Sequence, residues 1–195
     1  MRIICIRHGQ TTGDVEGRYG GSYNDHLSEE GKQQAAALKE ELRSKKIETL
    51  ISSPLIRARE TATIVSQGTI PVVLEEDFQE RNQYGILTGL IKGQAKYIYP
   101  DLVEQAKDRL NTLEDAESYV GFSNRIQIAF DRVLLDHSAS CIGIIWHSGP
   151  LRVLFRDILK MGELGKEIGD CAWVELEKEG GTFKILDSKR LDFLF

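Results

Sequence analysis

The sequence has no long apolar run, few cysteines and no excess of positive charge. No window of its 195 residues approaches the roughly 18 apolar residues that a membrane-spanning helix needs. The first residues, MRIICIRHG, hold an apolar stretch too short for a secretory signal before charged residues begin. We therefore expect a cytoplasmic protein that does not contact a membrane.

Cysteine is scarce. Cys5, Cys141 and Cys171 cannot all pair with one another, and none belongs to a C-x-x-C metal motif. Cys5 and Cys141 lie in apolar runs, where a free thiol behaves as a small buried hydrophobe. Unpaired cysteines of this kind favour a reducing compartment.

Basic residues are outnumbered: 25 Lys and Arg against 30 Asp and Glu give a formal net charge of −5. General nucleic-acid binders carry broad basic surfaces, so we expect no nucleic-acid partner. A small positive pocket stays compatible with this charge, because the field at a site depends on nearby groups. The length and 41% hydrophobic content suit one domain over residues 1–195.

What the sequence does contain is a regular alternation of strand-like and helix-like segments. Short apolar runs predict strands at residues 2–6, 48–53, 70–76 and 140–146, and a final hairpin that turns at Gly180–Gly181. Apolar residues at three- and four-residue spacing predict helices at residues 29–46, from Pro54 onward, around 122–133 and after Ser148. Such alternation is typical of a three-layer α/β/α sandwich with a mostly parallel central sheet.

Serine precedes three of these predicted helices. We expect Ser28, Ser53 and Ser148 to act as N-caps, because a serine hydroxyl accepts from the free N–H groups of a first helical turn. Residues 77–117 are less regular, since several glycines interrupt them, and we predict loops and short helices there.

Two of the predicted strands lead directly into histidine. Arg7 and His8 follow the first apolar run, and His147 follows the run at 140–146. Ligands of such sheets bind beyond the carboxyl ends of the strands, so we expect both histidines at the same rim.

Further polar residues fall near that rim. Arg57 lies close to a helix start, Glu80 follows the third strand, and Gly20 and Gly21 can bring backbone N–H groups close to an anion. Two arginines, two histidines and backbone donors describe a site for a compact dianion, most simply a phosphoryl group.

The order of these motifs resembles that of the histidine phosphatase superfamily, which includes cofactor-dependent phosphoglycerate mutases and many small phosphatases. The resemblance runs from residue 2 to about residue 160 and is carried by RHGQT, LSEEGKQQA, SSPLIRARETA, ERNQYGILTG and WHSGPLR. It implies a phosphoglycerate mutase-like fold and hydrolysis of a small phosphorylated substrate through a phosphohistidine. It also implies that no metal or other cofactor takes part.

The resemblance assigns roles residue by residue. His8 aligns with the nucleophile, which must be neutral to attack phosphorus, and Arg7 and Arg57 align with residues that grip the phosphoryl oxygens. His147 aligns with a second, cationic histidine, and Glu80 with the proton donor to the leaving alkoxide and later the base for water. Further candidates for phosphate contact are Asp14, Gly20, Gly21 and Ser148.

Asp14 departs from the family pattern, because many members have asparagine at this position. An ionised aspartate cannot donate a hydrogen bond to phosphate. Asp14 would therefore stay protonated, pair with Arg18 or face away from the phosphate.

The position of Glu80 is a second departure, since one residue is inserted between it and Gly85 relative to the usual spacing. Glu75 and Glu76 are competitors for its role. His26 replaces a common proline, and we expect His26 and His137 to be surface residues.

Three other functions use the same residues. A phosphoglycerate mutase would return the phosphoryl group to its substrate, but such mutases are generally longer before the second histidine, so hydrolysis is favoured. A non-catalytic phospho-ligand or protein-binding module is the alternative of a different class. Zinc bound by His8, His147 and Glu80 is disfavoured, because Arg7 and Arg57 would oppose a dication.

Substrate identity stays open at this level. We expect residues 77–117 to form an insertion that caps the substrate. Sugar phosphates, phosphoglycerate, α-ribazole phosphate and a phosphoprotein are all compatible with the sequence, and nothing in it indicates the oligomeric state.

Overall fold

The structure is a computed structural model, and it describes residues 1–194. These residues form one six-stranded sheet with the strand order β3-β2-β4-β1-β5-β6. The strands are β1 (Arg2–Arg7), β2 (Thr49–Ser52), β3 (Val72–Leu74), β4 (Cys141–Trp146), β5 (Glu163–Glu179) and β6 (Thr182–Leu194). The first four are parallel, and β5 and β6 run antiparallel at one edge. The predicted mostly parallel sheet is confirmed.

Helices cover both faces of the sheet. They are α1 (Thr12–Val15), α2 (Glu29–Leu42), α3 (Ile56–Ser66), α4 (Lys92–Ile98), α5 (Pro100–Gln105), α6 (Tyr119–Asp136) and α7 (Ser148–Val153), which continues as a π-helical turn over Leu154–Ile158. The core against α2 and α3 is separate from the core against α6 and α7. The predicted three-layer architecture is therefore confirmed.

Strand β1 shows why the sequence gives two cores. Successive side chains of a strand point to opposite faces, so Ile3 and Cys5 enter the α6 core while Ile4 and Ile6 enter the α2–α3 core. All four side chains are fully buried. A continuous apolar run is what a strand covered on both faces requires.

The core under α6 fixes the end of β4. Trp146 is fully buried, and its ring lies 5.1 Å from that of Phe78 and 6.4 Å from that of Phe130 between centroids. Truncating such an aromatic residue to alanine would cost about 3–5 kcal/mol. Because His147 follows Trp146 directly, this packing also fixes the backbone position of His147.

The three predicted helix caps have different outcomes. Ser28 caps α2 as predicted, since its hydroxyl accepts from the Gly31 N–H at 3.0 Å. Ser53 does not cap α3, which begins only at Ile56, because the Ser53 N–H still bonds the Ile145 carbonyl at 2.9 Å and keeps the chain extended. Ser148 is the first residue of α7, and the extended residue before it, His147, holds the cap position.

Several predicted boundaries were too wide. Helix α2 ends at Leu42 rather than at residue 46, and a 3₁₀ turn, Arg43–Lys45, follows it. The third strand covers only Val72–Leu74 and lies at the open edge of the sheet. Helix α6, by contrast, buries the apolar face that its spacing predicts.

Residues 77–117 form loops and short helices, as predicted. Leu87, Ala95 and Leu113 form a small cluster of their own, against which Tyr19 and Tyr84 pack. The segment therefore has a small apolar core of its own, separate from the two cores that flank the sheet. That it caps a substrate remains a prediction.

The final hairpin turns at Gly180–Gly181 as predicted, with φ of 57° and 109° at the two glycines. Strand β5 begins at Glu163, and its first residues pair with the end of β6. Residues 163–170 thereby reach the rim of the sheet.

All three cysteines are buried and unpaired, and they lie in β1, β4 and β5. Within residues 1–194 no helix has the length and apolar character that crossing a bilayer requires.

Candidate active site

Strands β1 and β4 bring the two histidines together. They are parallel neighbours in register, with Arg7 opposite Trp146, and the His8 N–H donates to the Trp146 carbonyl at 3.2 Å. The imidazole rings of His8 and His147 lie with their centroids 5.1 Å apart. The predicted meeting of the two histidines at one rim is confirmed.

The ring of His8 is held by two hydrogen bonds. Nδ1 lies 2.7 Å from the Gly9 carbonyl oxygen, which can only accept, so the proton is on Nδ1. Nε2 then carries the lone pair, and it accepts from Arg57 Nε at 3.0 Å. Burial, followed by the charges of Arg57 and Arg7, lowers the pKa of His8 well below its usual value. His8 is therefore neutral at pH 7.

His147 is fully buried, and its Nε2 lies 2.8 Å from the hydroxyl oxygen of Ser53. Its Nδ1 has no hydrogen-bond partner among residues 1–194. Burial and the neighbouring Arg57 lower the pKa of His147 well below its usual value. This environment opposes the predicted cationic form, because burial disfavours a charge and the nearby charges of Arg57 and Arg7 are also positive.

Arg7 faces the first part of β5. Its Nη1 donates to the Ile168 carbonyl, and its Nη2 lies 3.2 Å from the Asp170 carboxylate. Nε of Arg7 is buried and has no partner within residues 1–194. The guanidinium that was predicted to grip phosphate is thus shared between a carbonyl and a carboxylate.

Arg57 is buried beside His8 and contacts the loop that contains Gly20 and Gly21. The Gly21 carbonyl accepts from Arg57 Nη2 at 2.7 Å, and the Gly20 carbonyl accepts from the Tyr23 N–H at 3.1 Å. Both glycines were predicted to offer N–H groups to an anion, but the hydrogen bonds they make here use their carbonyls. Gly21 has φ of 59°, and a Cβ there would lie 2.9 Å from the Arg81 carbonyl oxygen.

Glu80 lies against the start of α7. One of its oxygens accepts from the Gly149 N–H at 2.8 Å and from the Ser148 hydroxyl at 3.4 Å, and the other accepts from the Arg81 N–H at 2.9 Å. A Cβ on Gly149 would lie 2.0 Å from the carboxylate, so only glycine leaves room for it. Ser148, predicted to contact phosphate, contacts Glu80.

The competing glutamates lie elsewhere. Glu75 pairs with Arg132 at 2.6 Å, and Glu76 is exposed. Of the three glutamates, Glu80 is the one that contacts Ser148 and Gly149, the two residues after His147.

Asp14 has a local role. It closes a capping box in which its carboxylate accepts from the Thr11 N–H at 3.0 Å and from the Thr11 hydroxyl at 2.9 Å. Of the three alternatives for Asp14, pairing with Arg18 is wrong, because Arg18 pairs with Glu16 instead. His26 is exposed as predicted, and it pairs with Glu60 at 2.7 Å.

Two openings flank these residues. A cleft of about 440 Å³ is bordered by Arg7, Ser148, Arg152, Lys166 and Asp170. A recess of about 70 Å³ is bordered by Glu80, Gly149, Tyr119 and four arginines: Arg81, Arg109, Arg152 and Arg156. Arg156 pairs with Asp157 and Glu163, whereas among residues 1–194 Arg81, Arg109 and Arg152 have no carboxylate within 4.0 Å, so positive charge outweighs the single carboxylate, Glu80, that borders the recess.

Sequence reasoning missed three residues that hold this site together. Ser53 contacts His147, Asp170 contacts Arg7, and Asp25 contacts Arg57 at 3.1 Å. Among residues 1–194 no group of three or more His, Cys, Asp or Glu side chains is arranged to hold a metal ion.

Comparison with known proteins gives one family. The model of the histidine phosphatase superfamily (branch 1) matches residues 3–189. Phosphoserine phosphatase 1 of Hydrogenobacter thermophilus is 26% identical over 161 residues, which are 82% of this chain and 76% of that protein. The metal-independent phosphoserine phosphatase of Arabidopsis thaliana is 29% identical over 84% of this chain and 71% of its own length. Phosphoglycerate mutase-like protein 4 of the same plant is 30% identical over 78% and 69%.

Solved structures show the same fold. Bacillus stearothermophilus YhfR superposes with a TM-score of 0.85 at 24% identity over 94% of both chains. A mycobacterial glucosyl-3-phosphoglycerate phosphatase complexed with VO3 gives a TM-score of 0.83 at 24% identity, over 97% of this chain and 98% of that one.

Proposed function

The chain belongs to branch 1 of the histidine phosphatase superfamily and is a phosphoric monoester hydrolase, and we propose that it works through a phosphohistidine formed on His8. The observation that carries this proposal is the hydrogen bond from His8 Nδ1 to the Gly9 carbonyl. It leaves the lone pair of Nε2 free of a proton, and that lone pair accepts from the Arg57 Nε–H at 3.0 Å. The lowered pKa of His8 keeps this nucleophile neutral at pH 7.

In the first step, Nε2 of His8 forms a bond to phosphorus while the bond from phosphorus to the leaving oxygen breaks. Glu80, in its acid form, gives its proton to the leaving alkoxide. In the second step, water attacks phosphorus, Glu80 takes a proton from that water, and the N–P bond breaks. Inorganic phosphate leaves, and His8 and Glu80 return to their starting states.

Arg7 and Arg57 would stabilise the charge on the phosphoryl oxygens during both steps. The Arg57 N–H that contacts His8 Nε2 at 3.0 Å would then donate to a phosphoryl oxygen. A phosphoryl dianion next to His147 would also favour the protonated form of that imidazole, as the resemblance predicts.

The recess beside Glu80 supports a substrate whose leaving alcohol carries a carboxylate. Its guanidiniums meet mainly backbone carbonyls: Arg81 donates to three of them and Arg152 to two. These acceptors are neutral, so positive charge remains for a ligand. Guanidiniums of this kind bind a carboxylate well, because their N–H groups match its two oxygens. We therefore favour a small phosphorylated hydroxy or amino acid, and the two phosphoserine phosphatases among the relatives support that class.

The test is phosphate release in EDTA from p-nitrophenyl phosphate and from two matched substrate pairs. The pairs are 3-phosphoglycerate with glycerol 3-phosphate, and phosphoserine with phosphoethanolamine, which differ in the carboxylate. We expect release in EDTA, a preference for the carboxylate member of each pair, and a loss of about 1,000-fold or more in His8→Ala. His137→Ala, a histidine at the far end of α6, is the control and should keep wild-type activity.

Other outcomes would contradict this proposal. Full activity in His8→Ala would refute the phosphohistidine, and loss of activity in EDTA would point to a metal. Interconversion of phosphoglycerates without phosphate release would indicate the mutase. Binding of phosphate without turnover of any compound would indicate the binding module.

A further inference from the structure

A loop that the family motifs do not include surrounds the guanidinium of Arg57. Nη1 of Arg57 donates to the Tyr23 carbonyl and, at 3.1 Å, to Asp25 Oδ1, and Nη2 donates to the Gly21 carbonyl at 2.7 Å. Nε donates to His8 Nε2 at 3.0 Å. These contacts use four of the five N–H groups of the side chain, so its orientation is fixed by the loop and His8 together.

Asp25 is the carboxylate in this arrangement. Only 7% of the residue is exposed, and within residues 1–194 it is the one carboxylate within 4.0 Å of Arg57. Its second oxygen accepts from the Gly13 N–H at 3.0 Å. A Cβ on Gly13 would lie 2.5 Å from that oxygen, so the backbone at Gly13 and the carboxylate fit closely.

The contact to Gly13 matters because of where Gly13 lies. It belongs to α1, which begins four residues after His8. Asp25 therefore ties Arg57 to the chain segment that leaves the nucleophile, while Arg57 itself comes from α3. Three separate elements meet at one buried carboxylate.

We propose that Asp25 is a positioning residue that holds Arg57 so that its Nε points at Nε2 of His8 and at a phosphoryl group bound there. The proposal rests on the assignment of His8 as the nucleophile. A buried guanidinium without its carboxylate would have to move toward another acceptor or toward water, because an unpaired buried charge is costly. The Nε–H that serves the phosphoryl group would move with it.

The position of Arg57 also affects the charge state of its partner His8, because burial, the Arg57 charge and the Arg7 charge together lower the pKa of His8. If Arg57 leaves its position when Asp25 is changed, the pKa of His8 should rise toward its usual value, and the acid limb of kcat/KM should move to higher pH. The other charged or titratable groups around this pair are Arg7, Asp14, Glu80 and His147.

The experiment compares Asp25→Asn with the control Asp131→Asn, an exposed aspartate on α6. For Asp25→Asn we expect kcat/KM on p-nitrophenyl phosphate to fall at least tenfold, and the inhibition constant of orthovanadate to rise by a similar factor. The acid limb of the pH profile should move up by half a unit or more. Asp131→Asn should match wild type in all three measurements.

A double-mutant cycle tests whether Asp25 acts through Arg57. If it does, Asp25→Asn should change kcat/KM less than twofold in an Arg57→Gln background. Equal losses in both backgrounds would overturn the proposal, as would wild-type vanadate inhibition in the single variant. Should Asp25→Asn fail to fold, Gly13→Ala, which pushes the carboxylate aside, should weaken vanadate inhibition, and unchanged inhibition would again overturn the proposal.

These outcomes are separate from failure of the proposed function. If the wild-type protein hydrolyses no phosphomonoester, the assignment of His8 is wrong. If the wild type turns over and Asp25→Asn turns over equally well, only the role of Asp25 is wrong.

Discussion

The imidazoles of His8 and His147 pack edge to face at 5.1 Å, with 62° between their planes. They are 6% and 0% exposed, and two arginines lie next to them. A proton on either ring would be a buried cation beside other cations. The arrangement therefore stabilises the neutral form of both rings in the folded protein.

The first prediction concerns stability against pH. Because both histidine pKa values are lowered in the folded protein, the unfolded chain takes up protons at a higher pH than the folded chain does. This contribution to stability is complete at pH values above the histidine pKa of the unfolded chain, which is about 6.5. Below that pH the free energy of unfolding decreases, by at most about 2.7 kcal/mol per pH unit for two protons. Urea unfolding between pH 7.5 and 5.0 measures this slope. The double variant His8→Gln, His147→Gln should show a shallower slope, and equal slopes would contradict the prediction.

The second prediction concerns the ion pair between Arg7 and Asp170. The carboxylate lies 3.2 Å from Nη2 of Arg7, where it competes with an anion for the guanidinium and repels that anion. Asp170→Asn should therefore lower the inhibition constant of inorganic phosphate by about three- to tenfold. Glu167→Gln, three residues earlier in the same cleft, removes the same charge without touching that ion pair and should have a smaller effect. Weaker phosphate inhibition in Asp170→Asn would show instead that Asp170 holds Arg7 in its binding position.

The third prediction concerns the space that Gly149 leaves for Glu80. The Cβ that Gly149→Ala adds would lie 2.0 Å from a carboxylate oxygen of Glu80, so Glu80 must move. We expect kcat/KM to fall at least tenfold on glycerol 3-phosphate, whose alkoxide needs a proton, and to fall less on p-nitrophenyl phosphate. Gly93→Ala is the control, because a Cβ there meets no atom within 4 Å. A uniform loss on both substrates would argue against Glu80 as the acid.

The fourth prediction concerns Glu41, whose hydrogen bonds hold β6 against α2. Glu41 accepts from both Nη atoms of Arg190 at 2.9 and 2.7 Å, from Lys189 at 2.7 Å and from the Trp173 indole at 3.1 Å. The Arg190 hydrogen bonds, against the effect of burial, lower the pKa of Glu41 to about 2. Glu41→Gln should lower the free energy of unfolding at pH 7 by about 1–3 kcal/mol. Glu40→Gln is the control, because its exposed carboxylate makes only surface pairs within residues 1–194, with Lys39 at 3.2 Å and Arg43 at 3.6 Å, and it should cost under about 0.5 kcal/mol in the same urea titration. Equal costs would contradict the role of Glu41.

Much of the fold could be predicted because local patterns determine it. Ile3 to Ile6 form a continuous apolar run that only a strand covered on both faces can bury, and the structure buries all four residues. The strand-end positions of His8 and His147 followed from the same reasoning, since parallel strands end at a common rim.

The partners of the site residues could not be predicted in this way. Ser53 has the sequence context of a helix cap, yet its hydroxyl meets His147, 94 residues further along the chain. Asp170 lies in a stretch without apolar periodicity, and the antiparallel pairing of β5 with β1, where the Cys171 N–H donates to the His8 carbonyl at 3.1 Å, brings it to Arg7. Contacts of this kind depend on how distant elements pack, which one sequence alone does not show.

The three cysteines give the protein a built-in chemical reporter. Cys5, Cys141 and Cys171 are 0%, 0% and 1% exposed, and burial raises the pKa of each thiol, that of Cys171 to about 12. The thiolate is the form that reacts with disulfide reagents, so the folded protein presents almost nothing for such a reagent to modify. Modification must wait until β1, β4 or β5 leaves the sheet, and its rate in plain buffer then reads out how often each strand opens. Single-cysteine variants would resolve that opening strand by strand, with no label added to the surface.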